Sequence, residues 1–407
     1  MESGPSRSSL PRRVIMQFAS ALSREVQTEA AVAEVLEQVA PRLPEHHAHL
    51  SFVFASPHHL KAFPRLLHVI QERFGTHTLI GCTGGGVIGD RHEVENKPAL
   101  SLMAAHLPGV NITPFHLEQP DLEEEWPDTY WQNRLGVTLE DDPTFILLPD
   151  PFMIDPQKLL NLLNTCYPQR TVLGGLASGG QSRNSCALFL NGEVMHGAVG
   201  VALTGNFTLR TIVSQGCKPV GQPFIITRCE DQVIYELSGR SALNVVREAI
   251  TELPEADQNL ARTALLMGRV IDEYKEEFSR GDFLIRTFLG ADPQSGAIAV
   301  GDMFRPGQTV QLHVRDATTA REDLHALMDG LAPDLSGHPA RGALLFSCNG
   351  RGAHLYGEPD YDSGVVSATT GAIPIAGFFC NGEIGPIGMS NFLHGFTASI
   401  GIFQEKA

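Results

Sequence analysis

The sequence predicts an α/β protein: internally duplicated strand–helix–strand units forming mixed, layered β-sheets with outer helices, in two domains. Three observations carry this. The chain has 407 residues, more than one ordinary core holds. Short apolar runs of strand length alternate with segments of helical periodicity. A glycine-rich turn follows a strand in each unit, at residues 81–86, 175–180 and 377–382.

The first unit opens with a helix over Thr28–Val39, whose Val32, Val35, Leu36 and Val39 share a face before Pro41 stops it. A strand over Leu50–Ala55, a helix over 59–74, a strand over 78–82 and a returning strand over 99–104 follow. In the second unit a strand over 144–148 ends at Pro149-Asp150-Pro151, a helix covers Pro156–Cys166, and a strand over 172–176 runs into Ser178-Gly179-Gly180. Residues 186–190 and 198–204 are expected to pair through the Asn191-Gly192 turn. A third, fainter copy has strands over 343–347 and 373–379 and an alternating apolar segment over 396–403. Duplication is the simplest account; glycine turns recurring by chance is the other.

A different region separates the copies. Ser241 begins a helix bearing Leu243, Val246 and Ile250, and strands are expected over 265–271, 283–289, 297–300 and 310–314. Asp316 can cap a helix carrying Leu324, Leu327, Met328 and Leu331. Glycine and proline accumulate over 216–223. The expected division is therefore a flexible Ser/Pro/Arg-rich tail over 1–13, one domain over 14–222 and another over 223–407.

The formal net charge of −16 argues against general nucleic-acid binding and against docking on anionic lipid. No apolar run reaches membrane-spanning length, and residues 1–13 lack the apolar stretch of a secretory signal. The seven cysteines are odd in number and form no CxxC, which suits a reduced, cytoplasmic setting.

Residues 84–89 match GxGxxG, but the following segment, 90–98, is too short and polar for the helix a dinucleotide site needs. No cofactor is expected. His46, His47 and His49 crowd together, as do His58 and His59, yet they read as solvated loops, and no metal site is expected. There is no GxSxG elbow.

Two strand-ending loops, 346–352 and 377–385, read as the walls of a pocket for a small molecule. Their candidate ligand contacts are Cys348, Asn349, Arg351, Cys380, Asn381 and Glu383, with His394 nearby in sequence. Arg351 can meet a carboxylate and Glu383 an amine, which suits a zwitterion; equally, the two can pair with each other and lock the loops. Cys348, beside Arg351 and with His354 or His394 as base, carries the alternative of a thiol-dependent enzyme.

Phe18-Ala19-Ser20-Ala21-Leu22-Ser23, the glycine turn 174–180, the loops 346–352 and 374–385, and Asn391-Phe392-Leu393-His394-Gly395-Phe396 together resemble the FIST family of sensory domains. The resemblance spans nearly the whole chain. It implies an N-terminal and a C-terminal FIST part and a non-catalytic sensor of small ligands, with amino acids the suggested class. Relatives are often fused to bacterial signalling modules or to an F-box. Neither is evident here, so the expected output is a separate signalling protein; a protein-interaction scaffold is a further alternative.

Overall fold

The computed structural model describes residues 15–75 and 78–406; the tail expected over 1–13 lies outside them. The first unit runs β1 (Gln17–Ser23), α1 (Thr28–Val39), β2 (Leu50–Ala55), α2 (Phe63–Phe74), β3 (Thr78–Thr83), β4 (Gly86–Gly89), β5 (His92–Glu95) and β6 (Leu100–His106). The second repeats that order: β7 (Val110–Leu117), α3 (Asp128–Leu135), β8 (Thr144–Pro149), α4 (Pro156–Cys166), β9 (Val172–Gly175), β10 (Leu188–Leu190), β11 (Glu193–Met195) and β12 (Ala198–Gly205).

The third unit starts with β13 (Thr208–Gln215) and is then interrupted. The insert comprises β14 (Cys217–Glu230), β15 (Val233–Leu237), β16 (Arg240–Ser241), α5 (Ala242–Glu252), α6 (Glu255–Ala264), β17 (Leu265–Val270), β18 (Phe283–Asp292), β19 (Ala297–Val300) and β20 (Thr309–Arg315). The unit resumes with α7 (Ala317–Gly337), β21 (Gly342–Cys348), α8 (Ala353–Tyr356), α9 (Tyr361–Thr370), β22 (Ile375–Cys380), β23 (Glu383–Ile387), β24 (Ser390–His394) and β25 (Thr397–Gln404). The 222/223 division falls inside β14.

Each unit builds four strands in one order: β1-β6-β2-β3, β7-β12-β8-β9 and β13-β25-β21-β22. Each hairpin then leaves home. β10–β11 adds to β3 of the first unit, β23–β24 to β9 of the second, and β4–β5 to β22 of the third. The exchange closes on itself, leaving three six-stranded sheets about a pseudo-threefold axis. The expected 186–190/198–204 hairpin needs correction. Asn191-Gly192 joins β10 to the short β11, while β12 returns to its own sheet between β7 and β8. An apolar pattern marks a strand but does not name its partner.

One glycine per unit gives the repeat away. Val53 pairs with Gly81, Leu147 with Gly174 and Leu345 with Gly377, each across the parallel pair of its sheet. A Cβ on these glycines would lie 1.8, 1.8 and 1.7 Å from the facing carbonyl oxygen. Only glycine permits that approach.

The inner faces of the three sheets meet in one core. Phe54 stacks on Phe378 with ring centroids 5.1 Å apart, and Phe346 stands edge-on to both. Helices cover the outer faces: α1 and α2 on the first sheet, α3 and α4 on the second, α7 and α9 on the third. β2 is buried along its whole length, which is why it reads as an unbroken apolar run. The insert forms its own seven-stranded antiparallel sheet; its first and last residues, Cys217 and Arg315, pair at the stem.

Candidate ligand site

The three glycine turns converge on the axis. They surround a cleft of about 320 Å³ lined by Gly85, Gly86, Glu95 and Asn96 from the first unit, Gly179, Gly180 and Gln181 from the second, and Asn349, Phe379 and Asn381 from the third. Ser178 is the tie between them: its Oγ accepts from the Gly85 N–H at 2.8 Å and donates to the Phe379 carbonyl. Where a dinucleotide fold would begin a helix, the chain forms the β4–β5 hairpin.

The two C-terminal corners do stand side by side. Cys348 and Cys380 are register partners at the ends of β21 and β22. Asn349 donates through Nδ2 to Asn381 Oδ1 at 2.9 Å, and Asn381 Nδ2 donates to the Ala177 carbonyl at 3.2 Å. Both asparagines line the cleft.

The charges turn away from it. Arg351 is 1% exposed and grips Asp362 by Nε–Oδ2 and Nη2–Oδ1 bonds of 2.8 Å each. Tyr356 Oη and Ser347 Oγ also donate to Asp362, at 2.8 and 3.0 Å. Burial alone would raise the Asp362 carboxyl, but the Arg351 guanidinium overcomes it and holds the group below its usual range. The Arg351–Glu383 pair considered from the sequence does not form. Asp362 sits on α9, directly against the guanidinium, and takes its place.

Glu383 is fully buried. Its Oε2 accepts from the Thr397 N–H at 3.1 Å and from Thr397 Oγ1 at 2.8 Å, while Oε1 has no partner. Burial pushes its carboxyl up to about 8. The Cys348 thiol is pushed up to about 12, first by burial and then by Glu383. Burial also raises Cys380 well above an ordinary thiol. His394 Nε2 bonds the Gly385 carbonyl at 3.0 Å, and burial lowers this imidazole to about 4.

Behind the cleft lies a second polar knot at the stem of the insert. Arg351 Nη1, Arg315 Nη2 and Glu383 Oε1 are all buried without a hydrogen-bond partner. Close packing holds this knot: a Cβ on Gly350 would lie 2.8 Å from Arg315 Nη2, and one on Gly216 3.2 Å from Arg351 Nη1. Glu383 pairs with Gly175 in the β23–β9 ladder. The matching hairpin positions in the other two units are Val87 and Leu188, so this buried acid belongs to the third unit alone.

Sequence reasoning missed Gly85, Gly86, Glu95, Asn96, Gly179, Gly180 and Gln181 as cleft residues. The signal was present: the same turn recurs at the same place in each unit. What spacing does not carry is that the three turns meet. Glu95 has a second task, accepting the Ala353 N–H at 2.8 Å.

Three interlocked units thus enclose one glycine-walled cleft between their turns. Residues 49–240 match the FIST N domain and residues 242–386 the FIST C domain. The chain belongs to the FIST family, whose domains are associated with sensory signal transduction and are of a non-catalytic type. It is 39% identical over 383 residues to uncharacterized protein Rv0628c of Mycobacterium tuberculosis, covering 94% of this chain and 97% of that one. It is 36% identical over 384 residues to uncharacterized protein Mb0898c of Mycobacterium bovis, covering 94% and 96%. Among the described residues, no helix is long and apolar enough to cross a membrane.

Proposed function

We propose that the chain is a non-catalytic sensor of intracellular signal transduction that binds an amino acid or similar small metabolite in the axial cleft. One observation carries the reading: the glycine turn of every unit ends there, so the walls are backbone amides, amide side chains and one carboxylate, with Phe379 the one apolar residue. The volume of about 320 Å³ suits a small polar molecule. In this reading Glu95 receives an ammonium group, while Asn349, Asn381, Gln181 and backbone N–H groups receive a carboxylate. Cys348, Arg351, Cys380, Glu383 and His394 act from behind, holding the two asparagines in place. The protein works in the cytoplasm, and a ligand that draws three units together changes a surface a separate signalling protein can read.

A thermal-shift screen of the amino acids and related metabolites at millimolar concentration tests this. The expected result is stabilisation by a restricted set, reduced in Glu95→Gln, which keeps an acceptor for the Ala353 N–H but loses the charge. Stabilisation by none of them overturns the reading.

A further inference from the structure

We propose that His47, His49 and His106 form a binding site for a divalent transition-metal ion of the zinc class. Along the chain, His47 and His49 read as part of a solvated loop because no convergent ligand is visible. The fold supplies one. β2 and β6 run antiparallel with Leu50 opposite Ala105, so His49, just before β2, stands across from His106, the last residue of β6. The His49 N–H donates to the Ala105 carbonyl at 2.8 Å, and His47 lies two residues back on the same side.

One nitrogen from each ring lies within 4.8 Å of the other two, and the His49 and His106 ring centroids are 4.6 Å apart. His106 Nδ1 is buried with no hydrogen-bond partner. With Zn–N bonds of about 2.1 Å, closing the set takes ring movements on the order of 1 Å. His49 Nδ1 accepts the Leu107 N–H at 2.9 Å. Coordination through His49 exchanges that bond by turning the ring over, so the Leu107 amide reports on binding.

The donor set names the cation. Three imidazoles without a carboxylate favour zinc, nickel or copper over magnesium or calcium, and leave a coordination position open. The fold does not require these side chains. At the places equivalent to His49 and His106, the second unit has Pro143 and Thr204 and the third has Arg341 and Gln404. A bound ion would staple the entrance of β2 to the exit of β6.

The test is zinc titration of the full chain without an affinity tag, followed calorimetrically, with cobalt(II) absorption as an independent readout. One ion per chain is expected, with cobalt bands that zinc abolishes and a shifted Leu107 amide resonance. His47→Ala and His106→Ala should each weaken binding more than tenfold, and the exposed His354→Ala should not. Melting curves without metal identify any variant that merely misfolds, and His106→Gln then replaces His106→Ala. Zinc affinity unchanged in the histidine variants, or no binding by the parent chain, overturns the proposal.

Discussion

Arg351 and Asp362 form a bidentate pair in which neither residue is more than 1% exposed. Removing one partner strands the other charge. Arg351→Met and Asp362→Asn should each cost about 3–5 kcal/mol, whereas a double change to apolar residues of similar volume should recover most of the loss. Urea unfolding of the two singles and the double decides this. Singles within 1 kcal/mol of the parent would mean that water reaches the pair.

Glu383 should make the protein less stable as pH rises. Its folded carboxyl titrates near 8, above the unfolded value near 4.5, so the native state holds the extra proton between them. The contribution is complete below the unfolded value, declines through the interval and is gone above the folded one. The slope reaches at most about 1.4 kcal/mol per pH unit. Glu93, raised likewise to about 8 by burial and then by Asp362, adds a decline of its own. The comparison is therefore Glu383→Gln against the parent from pH 5 to 9. A shallower decline in the variant is expected; parallel curves would show that the acid is ionised in the fold.

Much of this architecture is legible along the chain. Leu50–Ala55 and residues 343–347 stand out because both faces of these strands are buried, so no polar residue interrupts the pattern for long. The exchanged hairpins do not stand out. Gly86–Gly89 and His92–Glu95 are four residues each, and β22, the strand to which the first of them pairs, lies nearly 300 residues away. Periodicity states which face a residue takes, not which strand it meets. The site divides in the same way. Asn349 and Asn381 are marked by their glycine neighbours, but Arg351 finds its partner on a helix eleven residues on, at Asp362, rather than in the conspicuous loop holding Glu383.

The glycine approach makes an uneven pair of substitutions. Gly377→Ala puts a methyl 1.7 Å from the Leu345 carbonyl oxygen, a backbone atom that cannot step aside without breaking the β21–β22 pair. Gly330, inside α7, has nothing within 4 Å of its Cβ position. Gly330→Ala should stabilise by about 0.5–1 kcal/mol through helix propensity and a stiffer unfolded chain. Gly377→Ala should cost more than about 4 kcal/mol, the range of severe core disruptions. Gly81→Ala and Gly174→Ala should behave as Gly377→Ala does. Thermal unfolding of the set tests the equivalence of the three units, since a mild Gly174→Ala would mean that the second unit crosses differently.

Cys348 separates sensor from enzyme. Its thiol is pushed up to about 12 by burial and then by Glu383, and Arg315 only partly offsets this. At pH 8 roughly one molecule in 10⁴ then carries the thiolate, the form that attacks an electrophile. Iodoacetamide at pH 8 should label Cys348 at least 100-fold more slowly than free cysteine, and Cys229, half-buried like Cys348 but raised by burial alone with no carboxylate against its thiol, should be modified first. His394 offers no remedy, because its Nε2 bonds the Gly385 carbonyl and the imidazole titrates near 4. Cys348→Ser should leave ligand affinity within about threefold of the parent, since Asn349 and Asn381, not the thiol, line the cleft. Peptide mapping by mass spectrometry checks the labelling order. Rapid, selective alkylation of Cys348 would show a thiolate stabilised against its burial, and with it a nucleophile rather than a support for the asparagine beside it.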